Sequence, residues 1–257
     1  MILAIDCGNT NTVFALYTTN KQIKQLKSWR INNDSKRTAD LYYPWLLKMF
    51  EVSKFDIKSV TGVSVASVVP ETLLNIKSLI KKYLNVKTLI VNENILNLGI
   101  KVNIENPKEA GADRLVNSYA AEKLKISPAI IIDFGTATTF DIVKKGIYEG
   151  GVIAPGVNSS IKDLSRSTAL LPIFNLRNKQ TSFGKNTKDA LNAGFIWGYD
   201  GLINNIINKI THNWKMDYKI ILTGGYANLF KKVIKRKVIV DQNITIKGIS
   251  KVYKELL

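Results

Sequence analysis

The sequence contains a single cysteine and a single histidine among its 257 residues. With only Cys7, no intrachain disulfide can form, which fits a protein of the reducing cytoplasm. With only His212, the sequence offers neither a histidine cluster for a metal nor a Ser-His-Asp triad. Because no histidine is available to activate Cys7, we expect it to be a small buried thiol and not a nucleophile.

Long apolar runs are also missing from the sequence. No stretch approaches the roughly 18 uncharged apolar residues that a membrane-spanning helix needs. The first residues, Met1 to Asp6, have no basic leader, so we interpret them as a first strand and not as a signal peptide. Because 46% of the residues are hydrophobic, the chain has the composition of a globular protein. Its length allows one large domain or two modest ones.

Acidic residues are scarce: 20 Asp and Glu face 37 Lys and Arg, for a formal net charge of +17. One interpretation is an anionic partner, such as a nucleotide or a nucleic acid. The other is a compositional bias spread over the surface. The lysines occur in scattered pairs such as Lys81-Lys82 and Lys231-Lys232, without a long basic block. This pattern favours the second interpretation.

The sequence has no Walker A motif and no G-x-G-x-x-G after a strand, but it does contain a short duplication. Residues 5–14 and 132–140 both read as an apolar strand, an Asp, one further residue, a Gly and a Thr-rich turn into a second strand. The two aspartates, Asp6 and Asp133, lie about half the chain apart, which indicates two similar halves. A chance similarity between such short segments is the alternative.

Hydrophobic patterns place strands before helices in both halves of the chain. The predicted strands are Ile2–Ile5, Val13–Tyr17, Ile23–Ile31, Val60–Val68, Thr88–Val91, Ile130–Asp133, Thr138–Val143, Ile147–Ile153 and Ile220–Thr223. The predicted helices cover 38–50 with an interruption at Pro44, 70–83, a segment opened by Pro107, 157–166 and 187–210. This order predicts an α/β or α+β fold with mixed sheets. We expect an N-terminal domain over residues 1–110 and a C-terminal domain over 111–257.

The first half of the duplication, Asp6 to Thr12, has the features of a phosphate-binding turn. Gly8 allows a close approach of the backbone, and Asn9, Thr10 and Thr12 add side-chain donors to the N–H groups of the turn. The charge of Asp6 would repel phosphate, so its expected task is to hold Mg²⁺ directly or through water. The alternative is an Asp-Gly hairpin turn that binds no ligand.

The second half, Asp133 to Thr139, repeats this design, and the pair is more specific than either turn alone. Two such hairpins that face each other could hold a polyphosphate from both sides. The sequence therefore predicts a polyphosphate site built from both halves.

A third motif, Gly111-Ala112-Asp113-Arg114, lies in the helix that Pro107 is predicted to open. A glycine inside a helix costs about 1 kcal/mol relative to alanine, which indicates the close approach of another group. The carboxylate of Asp113 could face a hydroxyl while Arg114 binds an anion nearby. An ion pair on the surface is the alternative. Thr187 could either cap the helix at 187–210 with Asn186 or contact a substrate there.

Together these segments resemble the type III pantothenate kinases of the acetate and sugar kinase/Hsp70/actin superfamily. The resemblance extends from Asp6 to Gly225, and it rests on the segments Asp6–Thr10, Pro107–Arg114, Ile132–Thr139, Gly150–Gly156 and Gly194–Gly198. It implies an α/β fold of two ribonuclease-H-like (actin-like ATPase) domains, with the active site in the cleft between them. It also implies phosphorylation of pantothenate by ATP, the first step of coenzyme A biosynthesis.

The resemblance also implies cofactors, a homodimer and roles for individual residues. The cofactors are Mg²⁺ with ATP and a monovalent cation, K⁺ or NH₄⁺, at Asp133. ATP would be bound by Asp6, Cys7, Gly8, Asn9, Thr10, Asn11, Thr12, Val13 and Thr136. Pantothenate would be bound by Gly111, Ala112, Asp113, Arg114 and Thr187, with Asp113 as the base. The apolar helix around Phe195, Ile196 and Trp197 would suit a dimer interface, and a helix of the core is the alternative.

One position departs from the family, because Ile104 stands where members often have Tyr. The lost hydroxyl could alter the contact with pantothenate without changing the phosphate chemistry. Another function for the same architecture is a non-catalytic or differently specific relative that acts as a regulatory accessory factor. The presence of Asp6, Asp113 and Asp133 argues against a relative that has lost its catalytic activity.

Overall fold

Two mixed β-sheets with flanking helices form the protein in the computed structural model, which describes residues 1–20, 23–91, 101–177 and 182–256. The residues divide into two compact units by their contacts. Unit 1 consists of Met1–Leu124, Gly146–Tyr148 and Asn243–Leu257, and unit 2 consists of Lys125–Lys145 and Glu149–Gln242. Of the helices in the described ranges, none is long and apolar enough to span a bilayer.

The strands and helices have the following bounds. The strands are β1 Ile2–Cys7, β2 Asn11–Tyr17, β3 Gln25–Asn32, β4 Gly62–Ser67, β5 Lys87–Ile90, β6 Lys101–Val102, β7 Ala129–Phe134, β8 Ala137–Lys144, β9 Ile147–Pro155, β10 Lys219–Gly224 and β11 Val238–Val240. The α-helices are α1 Ala39–Val52, α2 Pro70–Leu79, α3 Ala112–Lys123, α4 Val157–Arg166, α5 Thr187–Thr211, α6 Ala227–Phe230 and α7 Ile244–Leu256. Short 3₁₀ helices lie at Ile57–Ser59 and Pro107–Glu109, and a π-helical turn at Ile80–Leu84 follows α2.

The two sheets repeat one strand order. In unit 1 the order is β3-β2-β1-β4-β5, where β1 pairs antiparallel with β2 and parallel with β4. The second sheet has the order β11-β10-β7-β8-β9-β6, where β7 pairs antiparallel with β8 and parallel with β10. Its five strands β9-β8-β7-β10-β11 therefore match the first sheet one for one, and this confirms the duplication that the sequence predicted.

The core of unit 1 lies on both faces of its sheet, because β1 and β4 are buried along nearly their whole length. Alternate residues of β1 point to opposite faces. Leu3 and Ile5 join a cluster with α1 and α2, whereas Ile2 and Ala4 join a cluster with α3 and α7. All four are at most 3% exposed. The helices on both faces explain why a continuous apolar run is required in the central strands.

The core of unit 2 packs β7 and β10 against α4, α5 and α6. Ile130 and Ile132 of β7, Ile220 and Leu222 of β10 and Ile203 of α5 belong to one buried cluster. The long helix α5 therefore covers one face of the second sheet, and the β7–β8 turn is supported by a packed sheet.

Several predicted elements differ from the structure in their bounds. Pro44 lies inside the continuous helix α1, so the expected interruption there is wrong. Pro107 opens only a 3₁₀ turn, in which Asn106 Nδ2 donates to Glu109 Oε1 at 2.9 Å. The α-helix begins at Ala112 with Gly111 as its N-cap, so Gly111 does not lie in a helix interior. The predictions also missed β6, β11, α6 and α7.

The compact units divide the chain differently from the predicted domains 1–110 and 111–257. Helix α3 belongs to unit 1 because its buried face, including Leu115 and Val116, packs with α7 and the first sheet. The last 15 residues also return to unit 1. The predicted domain boundary stays a prediction.

Candidate active site

The first candidate phosphate turn joins β1 to β2 in unit 1. Asp6 is the penultimate residue of β1 and pairs with Val13 across the hairpin. The Gly8 N–H donates to the Asn11 carbonyl at 3.0 Å and closes the turn, with Asn9 and Thr10 exposed at its tip. A Cβ at position 8 would lie 3.3 Å from that carbonyl oxygen, so the tight turn favours glycine.

Asn33 stabilises this turn through hydrogen bonds of its backbone and side chain. The sequence analysis did not single it out. Its N–H donates to the Thr10 carbonyl at 2.8 Å. Its Oδ1 accepts hydrogen bonds from the hydroxyls of Thr12 at 3.3 Å and Thr72 at 2.9 Å. The Thr12 side chain is fully buried, so its hydroxyl serves the fold in this conformation. A lone asparagine after a strand gives no sequence signal for such a role.

Cys7 lies beside the first turn with its thiol inside the core. Its side chain is fully buried, and burial together with the neighbouring Asp6 carboxylate raises the thiol pKa far above its usual range. A thiol with a raised pKa is protonated at neutral pH and is a poor nucleophile. The prediction of a small buried thiol is therefore confirmed.

The second candidate turn joins β7 to β8 in unit 2 and has the same design. Asp133 is the penultimate residue of β7 and pairs with Thr139, and the Gly135 N–H donates to the Ala137 carbonyl at 3.0 Å. The exposed Thr136 has its carbonyl fixed by the Ser159 hydroxyl of α4 at 2.9 Å. A Cβ at Gly156 would overlap that same carbonyl, so Gly156 allows α4 to begin directly against the turn.

Gly224 packs closely against the Asp133 carboxylate. It has φ +83°, and a Cβ there would lie 2.5 Å from Asp133 Oδ1 and 2.6 Å from the Phe134 carbonyl oxygen. The Gly225 N–H donates to the same Phe134 carbonyl at 3.1 Å. The Asp133 carboxylate and the Phe134 carbonyl oxygen are therefore near each other, and oxygen atoms of these kinds are the ligands that a hard cation prefers. Within the described residues, no group of three or more His, Cys, Asp and Glu side chains forms a multi-ligand metal cluster.

Asp113 lies in the first turn of α3, where the N-terminal end of a helix favours a carboxylate. Its Oδ1 accepts the Arg114 N–H at 2.8 Å. A Cβ at Gly111 would lie 2.6 Å from Asp113 Oδ1, so the glycine makes room for the carboxylate. Burial raises the Asp113 pKa above its usual value, although the N–H and the charge of Arg114 act in the opposite direction. Asp113 thus has the environment of a carboxylate that can accept a proton.

Thr187 is the first residue of α5, and the neighbouring Asn186 is the N-cap. Asn186 Oδ1 accepts the Asp189 N–H at 3.0 Å. The exposed Thr187 lines an apolar groove of about 630 Å³ in unit 2 together with Phe195 and Tyr199. Because Asn186 provides the cap, Thr187 keeps its exposed position for another contact.

Ile104 is half-buried and packs against the apolar cluster on the α3 side of the first sheet. The predicted site residues therefore fall into two groups. Unit 1 holds the Asp6–Val13 hairpin and the Gly111–Arg114 turn, and unit 2 holds Asp133, Thr136 and Thr187.

The duplicated sheet, with an Asp-x-Gly hairpin in each copy, is the fold of the actin-like ATPases and sugar kinases. Solved structures show the same fold. A protein from Campylobacter jejuni assigned to the Baf family of transcriptional activators has a TM-score of 0.62 at 22% identity, with 98% of both chains covered. Component A of (R)-2-hydroxyglutaryl-CoA dehydratase from Acidaminococcus fermentans has a TM-score of 0.59 at 10% identity, covering 99% of this chain and 97% of that one. At these identities the likeness concerns the fold alone.

Sequence comparisons identify the family. The model of the type III pantothenate kinase family matches residues 2–209. The chain is 40% identical to a type III pantothenate kinase of Phenylobacterium zucineum, covering 99% of this chain and 98% of the relative. It is 37% identical to a type III pantothenate kinase of Maricaulis maris, covering 99% of this chain and 97% of that relative. The chain belongs to the type III pantothenate kinases.

Proposed function

We propose that the protein transfers the γ-phosphate of ATP to the 4′-hydroxyl of pantothenate, the first step of coenzyme A biosynthesis. The family match over most of the chain supports the reaction. The observation that carries it on this chain is the Asp113 carboxylate, which is held at the start of α3 beside Arg114 with a raised pKa. We place the reaction in the cytoplasm, in keeping with the single buried thiol.

Asp113 acts in this proposal as the base that orients the 4′-hydroxyl and accepts its proton. The transition state of phosphoryl transfer is loose, so catalysis consists mainly of positioning the reactants and neutralising charge. A base is most effective when its pKa approaches the working pH, and burial moves Asp113 in that direction. The Arg114 N–H keeps the carboxylate in one orientation.

The two hairpins bind the nucleotide in this proposal. The segment Asp6–Val13 contacts the phosphates, largely through turn N–H groups because the Thr12 hydroxyl is used inside the fold. Thr136 contacts ATP from the second hairpin. Asp6 would hold Mg²⁺, and the Asp133 carboxylate would hold K⁺ or NH₄⁺. These cations would neutralise phosphate charge when bound.

Pantothenate is bound in this proposal by Gly111, Ala112, Asp113, Arg114 and Thr187. Arg114 would bind the carboxylate of the substrate, since a guanidinium matches a carboxylate with two parallel hydrogen bonds. The protein would act as a homodimer. Of the three residues proposed for its interface, Trp197 is 48% exposed whereas Ile196 is buried, so Trp197 would make the contact.

The direct test is to mix the purified protein with MgATP, KCl and pantothenate and to detect phosphopantothenate by mass. Asp113→Asn should lower turnover by about 10²- to 10⁴-fold, the usual contribution of a general base. Replacing K⁺ with Na⁺ should lower turnover of the wild type. Light scattering of the same sample reports the oligomeric state.

The matched control is Asp217→Asn, which removes an exposed carboxylate from unit 2. It should leave turnover unchanged. Normal turnover of Asp113→Asn would remove Asp113 from the role of base. ATP binding without phosphopantothenate would indicate another acceptor for the same machinery, and the absence of both would contradict the function of the hairpins.

A further inference from the structure

The guanidinium of Arg114 lies over the ring of Tyr148, with 5.7 Å between the guanidinium carbon and the ring centroid. Arg114 is in the first turn of α3, and Tyr148 is the second residue of β9. Both residues belong to unit 1. The sequence analysis did not single out Tyr148, and none of the roles proposed above uses it.

The ring of Tyr148 is a fixed surface in the core. It is 1% exposed and packs in the apolar cluster with Leu115 and Tyr119 of α3. Its carbonyl accepts the Asn103 N–H at 2.8 Å, where β9 pairs with Val102 of β6. A buried side chain on a hydrogen-bonded strand has little freedom to move. The ring therefore offers the Arg114 guanidinium a contact surface with a fixed position.

Arg114 gains from this ring a contact that preserves its hydrogen-bonding capacity. A guanidinium carries five N–H donors in its plane and remains charged at any ordinary pH. Attraction to an aromatic face acts through the ring quadrupole and consumes none of those donors. Since Arg114 is only half-exposed, the ring also offsets part of the cost of removing its charge from water.

We propose that Tyr148 is a positioning residue that holds the Arg114 guanidinium ready for the carboxylate of the acceptor substrate. This inference rests on the proposed function, in which Arg114 binds that carboxylate. Recognition by two parallel hydrogen bonds depends on the orientation of the guanidinium plane. Loss of the aromatic face would let the long side chain sample other rotamers, and the entropy of fixing it would then oppose substrate binding. Tyr148 would thus act on acceptor affinity through Arg114.

The test compares Tyr148→Phe, which keeps the aromatic face, with Tyr148→Leu, which keeps apolar bulk without it. Steady-state kinetics should show that Tyr148→Leu raises the KM for pantothenate by about 3- to 30-fold, the range that a cation–π contact can supply. Its kcat and its KM for MgATP should stay within about twofold of the wild type, because the hairpins and the base are untouched. Tyr148→Phe should resemble the wild type.

A double-mutant cycle separates positioning from a purely structural role. Arg114→Gln should raise the KM for pantothenate on its own. Adding Tyr148→Leu to Arg114→Gln should raise it no further, because residues that act through one interaction are not additive. Thermal unfolding of each variant checks the fold. If Tyr148→Leu does not fold, Tyr148→Met takes its place, since methionine adapts to irregular space in a core.

Three results would overturn the inference. The first is an unchanged pantothenate KM in a folded Tyr148→Leu. The second is a parallel rise in the KM values for pantothenate and MgATP. The third is a full additive effect of Tyr148→Leu in the Arg114→Gln background. A wild-type protein that does not phosphorylate pantothenate would instead overturn the proposed function and this inference with it, so the two failures are distinguished by the wild-type assay.

Discussion

Burial of the Asp113 carboxylate lowers the stability of the fold at neutral pH. Burial raises its pKa above the usual aspartate value of about 3.9. At pH values between the pKa of the unfolded state and the higher pKa of the folded state, Asp113 takes up a proton when the protein folds. The free energy of unfolding therefore falls as the pH rises through this window, and the loss persists at higher pH. Below both pKa values the loss is absent.

Asp113→Asn should for this reason be more stable than the wild type at pH 8, while its turnover is much lower. The amide oxygen can still accept the Arg114 N–H, but no charge is buried. Urea unfolding at a series of pH values checks this, and the difference between the two proteins should shrink as the pH falls towards 4. A difference that does not change with pH, or one that Asp217→Asn reproduces, would contradict the assignment to Asp113.

Gly224 and Gly225 form a matched pair of neighbouring residues with opposite surroundings. Gly224→Ala should cost about 1–2 kcal/mol of stability, because its φ of +83° is left-handed. The new Cβ would also displace the Asp133 carboxylate, so we expect weaker activation by K⁺. A Cβ at Gly225 meets nothing within 4 Å, so Gly225→Ala should stay within about 0.5 kcal/mol. Urea unfolding and a K⁺ titration of turnover are the measurements. Equal behaviour of both variants would contradict a specific role of Gly224 beside the Asp133 carboxylate.

At the scale of elements, α7 positions α3, which carries Asp113 and Arg114. The two helices cross closely at Gly248, where a Cβ would lie 2.5 Å from Val116 Cγ1 and 2.7 Å from the Val116 carbonyl oxygen. The Thr245 hydroxyl donates to Asn117 Oδ1 at 2.7 Å beside this crossing. The start of α3 is therefore set in part by a helix more than 120 residues later in the chain.

Gly248→Ala should destabilise the protein by about 1–3 kcal/mol, the cost of adding volume to a packed core. In an exposed helix the same change is favourable by up to about 1 kcal/mol, because alanine favours helix over glycine. Gly201→Ala in α5, where a Cβ meets nothing within 4 Å, is the control with the opposite expected sign. Chemical denaturation measures both, and a stabilised Gly248→Ala would show that the crossing is not tight.

At the scale of the whole molecule, the net charge of +17 implies repulsion among surface cations. The densest group is the basic segment, which comprises the exposed residues Lys231, Lys232, Lys235, Arg236 and Lys237. Ile234, buried between them, anchors the segment, so the cations cannot spread apart freely. The ion pairs Lys48–Glu51 and Lys82–Asp40 are exposed, and such pairs add little stability.

Added NaCl should accordingly raise the thermal unfolding midpoint between low ionic strength and about 0.1 M, where the Debye length is about 10 Å. A variant with Lys231, Lys232 and Arg236 changed to Gln should show a smaller rise, since there is less repulsion to screen. Scanning fluorimetry over a salt series compares them. A midpoint that does not depend on salt, or an equal response of the two proteins, would contradict a repulsive surface.

The local sequence determined the two Asp-x-Gly hairpins and the central strands. An Asp-x-Gly turn after an apolar run specifies a strand end and a tight turn from neighbouring residues alone, so Asp6 and Asp133 were found at equivalent positions. The buried thiol of Cys7 and the strand at 62–67 followed in the same way. These features depend on residues close in the chain, and the twofold repeat of the pattern pointed to two matching sheets.

Contacts between distant residues decided the remainder. Pro107 was predicted to open an α-helix, but residues Pro107–Glu109 form a 3₁₀ turn and α3 begins at Ala112, where it packs against α7. The packing position of α7, which the sequence analysis missed, depends on glycines that admit it, including Gly62, where a Cβ would overlap the Tyr253 hydroxyl. Such fits arise only when segments far apart in sequence pack together, so tertiary structure alone determined how α7 packs against α3 and how Arg114 meets Tyr148.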